Sequence, residues 1–233
     1  MQSSGAAVLD LGACITPVHR YGVRVLNCKG GVHVKISPLT PDKVVLVFSN
    51  SLGGNISRGQ ERKIENALAR EDFLRAETGR IKKPVDVSGV ADRYISAICG
   101  DLSPGLLREA RFKLMLCYDQ LNLEKFVRSL CRELGFTLEA YGSEEHPGYS
   151  SWRSRQEMLP SLARAVMESG AAAGALLDPN ADHLIMIDER GQIIQDEMLT
   201  ALLALLILKG QGGTVVVPVT APRAIEALAE RYR

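Results

Sequence analysis

The chain has 233 residues, 46% hydrophobic and 24% charged, enough for one large or two modest domains around a sizeable core. Its 28 basic and 27 acidic side chains leave a net charge of +1, so no global field would draw in nucleic acid or an anionic membrane surface. Five cysteines without CxxC spacing argue against a disulfide framework, and the longest apolar run, residues 199–208, falls short of the roughly 20 residues a bilayer span needs. That run reads as a buried helix, and with no charged and apolar leader at the start the expected location is cytoplasmic.

In chain order, strands are predicted at residues 6–12, 31–37, 44–50, 112–119, 137–142, 173–178, 183–188 and 214–219. Between them the 3.6-residue pattern predicts helices at 17–27, 57–72, 87–99, 121–134, 154–169, 196–209 and 221–232. Pro17 suits a first helical turn, and Ser57 with Glu61 close behind marks another helix start. Alternation of short apolar strands with longer helices is the signature of an α/β protein on a mixed, largely parallel sheet. Gly, Pro and Ser cluster at 100–111, where a boundary is placed. The predicted units are residues 1–102, residues 103–212, and the start of a third at 213–233. The polar stretch 141–155, with His146 and Trp152, reads as a mobile loop.

One loop carries the pattern of a divalent-cation site. Asp178, Asn180 and Asp182 alternate between an apolar run and a strand, offering oxygen ligands of the kind a hard cation takes. The histidines lack ligand spacing: His19 and His33 read as packing or surface residues, and His146 as solvated. Lys35 reads as a solvated strand lysine, and Ser37, before Pro38, as a turn-forming hydroxyl. No Gly-rich phosphate cradle is present, since the glycines of 210–213 read as a helix stop.

Three motifs together resemble the α-D-phosphohexomutases, the phosphoglucomutase and phosphomannomutase family. "LDLGACITPV" is similar to a first-domain stretch of Asp-Leu-Gly followed by Thr16 and Pro17. "GGVHVKISPLTP" lies where that family has two glycines, a strand and the phosphoserine loop, with Ser37 on the serine. "DPNADH" is similar to the family's magnesium loop, with Asp178, Asn180 and Asp182 on its three aspartates and His183 on its arginine. The resemblance implies two consecutive α/β/α sandwich domains, clipped at the first strand and followed by the start of a third. It also implies a sugar-phosphate substrate, Mg2+ as cofactor and phosphoryl transfer through Ser37.

The same comparison exposes departures. Pro38 and Leu39 replace a histidine and an asparagine, and Val47 stands where a proton-handling lysine is expected. Asn180 removes one charge from the cation loop, Pro179 replaces a glycine, and His183 lacks a guanidinium's fork for phosphate. The resemblance therefore implies weak or absent Mg2+ binding and impaired catalysis. The alternative is a non-catalytic module for sugar-phosphate sensing or assembly, of the kind associated with a sugar-phosphate nucleotidyltransferase as in mannose-1-phosphate guanylyltransferase-like proteins. Uncovered edges predict a homo-oligomer or the missing domains of a longer chain as partners.

Overall fold

A computed structural model describes residues 1–37, 40, 42–71, 73–102, 104–118, 121–142, 156–194, 196–211, 213–219 and 221–232. The stretch with His146 and Trp152, together with Pro38 and Leu39, lies outside them.

The second half is built on one five-stranded sheet. Its strands are β5 (Lys113–Cys117), β6 (Thr137–Tyr141), β7 (Ala173–Leu177), β8 (Leu184–Asp188) and β9 (Ile193–Ile194), in the order β6-β5-β7-β8-β9. β5 runs parallel to both β6 and β7, because the helices α5 (Leu121–Leu134) and α6 (Leu159–Ser169) carry the chain back between strands. β7 and β8 are antiparallel, joined by the short turn that holds the candidate cation loop. Strand alternation splits the core between the two faces. Met115, Cys117, Leu176, Ile185 and Ile187 pack with Leu162 and Val166 of α6. On the opposite face Leu114, Leu116, Leu138 and Leu177 meet Leu123, Val127 and Cys131 of α5.

The first half is smaller and its strands are paired, not laid in one sheet. β1 (Leu9–Asp10) lies parallel to β4 (Val85–Asp86), and β2 (Gly30–Ile36) pairs antiparallel with β3 (Val44–Asn50) over seven residues. Three of the six strand pairings among the described residues are parallel, so the α/β class holds with a mixed pattern. Helix α1 (Thr16–Val25) packs on β2, α2 (Arg58–Ala69) is exposed, and α3 (Val90–Asp101) leans on α1 and α5. The N-terminus of α2 is closed reciprocally by Ser57 and Gln60, one residue earlier than the acidic signal at Glu61 suggested. Ile15, Val18 and Val90 join Tyr118, Leu123 and Val127 in one cluster, so the two halves share apolar packing.

Strand β2 sits so close to α1 that a Cβ at Gly31 would fall 2.5 Å from Val23 Cγ2 and 2.6 Å from His19 Nε2. That approach lets His19 of α1 stack on His33 of β2, with ring centroids 5.0 Å apart.

Several expectations fail for physical reasons. Residues 213–219 form no strand: Val216 and Val219 are fully exposed, because no described strand lies alongside to bond with them. The apolar helix α7 (Asp196–Gln211) is not buried. Ala204 and Leu208 are covered, and α7 packs against α8 (Arg223–Arg231), but Leu202, Leu203, Leu206 and Ile207 face solvent. The Gly, Pro and Ser stretch at 100–111 contains a short helix, α4 (Pro104–Ala110).

The histidine stack makes the fold acid-sensitive. Burial first, then the charges of His33, Arg20 and Lys35, lowers the His19 pKa from 6.5 to about 4, and burial likewise lowers that of His33. The unfolded chain therefore takes up protons below pH 6.5 that the folded chain refuses until about pH 4, so stability falls as pH drops through that window. Thermal unfolding followed between pH 7 and 4 is expected to show this loss, with a visibly shallower slope in His19→Gln.

Candidate functional site

Asp178 shapes the turn between β7 and β8. Its carboxylate is 1% exposed and faces back onto its own loop. Oδ1 accepts from the backbone N–H groups of Asp182 (2.5 Å) and His183 (2.7 Å), and Oδ2 from that of Asn180 (3.2 Å). A buried carboxylate holding three amides fixes the path of everything between them. One cost is visible at Ala181, whose φ of 54° is unusual for a residue with a Cβ.

The shaped turn then reaches the first half at two points. α1 begins after Ile15, which offers no side-chain cap, and its first N–H, that of Thr16, donates instead to the carbonyl of Asn180 (3.1 Å). Beside it, Asp182 Oδ2 is paired with the Lys35 ammonium at 2.5 Å. Lys35 is thus not the solvated lysine expected from sequence: its side chain is only 12% exposed. Alternation along β2 puts Lys35 on the same face as His33, and register places Val45 and Val47 opposite them. On β2 this face, with His33 and Lys35, is the inner one, while Val34, Val44 and Leu46 on the other side of the pair are exposed.

Behind Lys35 runs a short relay. Lys35 Nζ donates to Thr16 Oγ1 (3.4 Å), and Thr16 Oγ1 lies 3.5 Å from His33 Nδ1. His33 Nε2 is 3.1 Å from the Cys14 carbonyl, which can only accept, so Nε2 carries the proton and Nδ1 receives the threonine hydroxyl.

In front of Lys35 opens a cleft of about 880 Å³, lined among others by Arg20, Arg24, Val47, Asp182 and His183. With Lys35 the wall carries three permanent cations against one carboxylate, a field suited to an anion. Arg20 is aimed by its bond to Asn55 Oδ1 (3.0 Å). The sequence reading missed Arg20 and Arg24; their spacing of four along α1 puts both on one helix face and was the available signal.

Ser37 is two residues from Lys35 but turns away from this chemistry. It is 8% exposed, its Oγ lies 3.1 Å from Thr40 Oγ1 and accepts from the Thr40 N–H (3.2 Å), and it is not among the residues lining the cleft. Val47 does stand on the cleft wall.

A magnesium ion needs several oxygens free to converge on one point. Asp178 is buried with both oxygens turned onto backbone amides of its own loop, Asp182 is paired with Lys35, and no group of three acidic, histidine or cysteine side chains among the described residues is arranged to hold a metal. The residues present do not fit that ion.

The chain as a whole is similar to known proteins. A family model described as phosphoglucomutase/phosphomannomutase, alpha/beta/alpha domain I, matches residues 1–75. A phosphopentomutase of Thermococcus kodakarensis is 30% identical over 236 residues, covering 98% of this chain and 50% of the relative. A protein named probable phosphoglucosamine mutase, from Methanosarcina acetivorans, is 26% identical over 233 residues, covering 99% of this chain and 52% of its own length. The chain thus spans about half the length of the curated relatives it matches. A solved phosphoglucomutase/phosphomannomutase family protein from Burkholderia thailandensis superposes with a TM-score of 0.83 at 20% identity, over 99% of this chain and 51% of that one, which establishes the fold.

Because Asp178 holds three backbone donors, Asp178→Ala is expected to destabilise the chain by about 3 kcal/mol, with Asp178→Asn in between. Urea unfolding checks this, and a loss below about 0.5 kcal/mol would mean that the turn does not depend on the carboxylate.

Proposed function

The chain belongs to the α-D-phosphohexomutase (phosphoglucomutase/phosphomannomutase) family, and from that premise we propose that it is a sugar-phosphate-binding module of this type whose catalysis is impaired. The observation that carries the reading is the cleft beside the 178–183 turn, where Arg20, Arg24 and Lys35 stand over a wall that includes Val47. Phosphate monoesters are doubly charged anions, and two guanidinium forks with an ammonium suit them.

Phosphoryl transfer through a serine requires an accessible Oγ, a group to take the hydroxyl proton, and cations to neutralise the transferring group. Among the described residues only the last is supplied in full. The Ser37 hydroxyl is engaged by Thr40, and Val47 on the cleft wall cannot move a proton. Loss of a general acid or base alone lowers rates on the order of 100-fold to 10,000-fold. In this reading a sugar phosphate docks by its phosphate against Arg20 and Arg24, and Mg2+ contributes weakly or not at all.

The test separates binding from turnover. Glucose 1-phosphate and mannose 1-phosphate are expected to bind the purified chain in calorimetry, with affinity lowered at least about tenfold in the double variant Arg20→Ala, Arg24→Ala. Phosphorus NMR of the same mixtures is expected to show no interconversion of 1- and 6-phosphates. Interconversion that vanishes in Ser37→Ala would overturn the impairment, and failure of both sugars to bind would overturn the substrate class.

A further inference from the structure

We propose that the Lys35 ammonium is the resident cation of the 178–183 turn, seated on Asp182 where a divalent ion would have to bind, so that this cleft is assembled and charged without metal. The inference stands on the contact geometry and does not require that the cleft bind a sugar phosphate.

Three observations point the same way. The ion pair joins residues 147 positions apart, one on the strand leading to Ser37 and the other on the turn shaped by Asp178. Lys35 is the more enclosed partner, its side chain 12% exposed against 28% for Asp182, so the ammonium sits within the wall of the cleft and does not sweep over the surface. A surface pair of long side chains would contribute little, but here β2 fixes one partner and the Asp178-bonded loop fixes the other. Lys35 also donates to Thr16 Oγ1, and Thr16 is the residue whose backbone N–H is taken by Asn180.

The chemistry of the donor set makes the ammonium and a divalent ion alternatives. A hard cation needs carboxylate oxygens at about 2.0 to 2.6 Å, and the Asp182 oxygen already has Lys35 Nζ at 2.5 Å. Asp178 compensates poorly: it is 1% exposed, Oδ1 already holds the amides of Asp182 and His183, and drawing Oδ2 into the cleft would loosen its bond to the Asn180 amide. Asn180 brings an amide without charge. A divalent ion placed there would also face Lys35 directly, and like charges at such distances repel strongly where water is partly excluded. The ammonium has three N–H donors, two of them spent on Asp182 and Thr16 among the described residues. The third is available to an anion in the cleft that Lys35 lines.

The test is a Mn2+ titration by calorimetry on the purified chain and three variants. Wild type and Lys35→Arg, which keeps the charge, are expected to show no saturable binding up to about 10 mM, the range in which weak oxygen sites fill. Lys35→Met releases Asp182 and is expected to bind Mn2+ at least tenfold more tightly than wild type, an effect removed by adding Asp182→Asn. Saturable wild-type binding that Asp182→Asn abolishes would overturn the proposal, as would a Lys35→Met variant that binds no more tightly than wild type. Should Lys35→Met fail to fold, thermal unfolding of wild type decides. Melting that is unchanged by EDTA or by Mn2+ supports the ammonium as the resident cation, and a rise with Mn2+ that Asp182→Asn removes overturns it.

Discussion

The buried carboxylate of Asp178 is the constraint from which the site follows. By taking the amides of Asn180, Asp182 and His183 it fixes the path of a turn that two backbone bonds already close between the antiparallel strands. The fixed turn presents one carbonyl and one carboxylate to the other half of the chain. Asn180 gives the carbonyl, which takes the first N–H of α1, and Asp182 gives the carboxylate, which takes Lys35. Removing the anchor would loosen both at once, leaving the turn only two backbone bonds among the described residues, from the Asp178 N–H to the His183 carbonyl and from the Ala181 N–H to the Asp178 carbonyl.

Position follows from that arrangement. Once α1 starts at the turn, its exposed face carries Arg20 and Arg24 into the cleft, while its buried face brings His19 onto His33. The glycine at position 31 is required here because any side chain would strike Val23 and His19. The same close approach draws β2 inward until its polar face, with His33 and Lys35, becomes the inner one. Packing, charge and the cleft wall are therefore consequences of one contact region between the halves.

Much of this was legible in the residues. The seven-residue strand β3 and the helix α5 coincide with the apolar runs and periodicity that predict them, and the β7–turn–β8 unit lies where strand signals flank Asp178 and Asp182. Local pattern failed where a distant partner decides. Two-residue strands such as β4 and β9 exist only because a neighbour is present, and the valines of 214–219 stay single because no strand among the described residues lies beside them. Alternation alone would turn the apolar side of β2 and β3 inward, yet Val34 and Leu46 are out and Lys35 is in. Lys35 looked like a solvated lysine because the carboxylate that holds it is 147 residues away. The leucines of α7 read as buried because composition reports what a helix is able to bury, whereas α8 packs on the helix and leaves Leu203, Leu206 and Ile207 exposed.

Whether Lys35 and Asp182 hold the halves together is most directly read from a double-mutant cycle, with Lys35→Met, Asp182→Asn and the double variant unfolded in urea with and without EDTA. A coupling of about 1 kcal/mol or more, unchanged by the chelator, is the expected result. Single effects that add to within about 0.3 kcal/mol, or a coupling that appears only when a divalent ion is supplied, would contradict it.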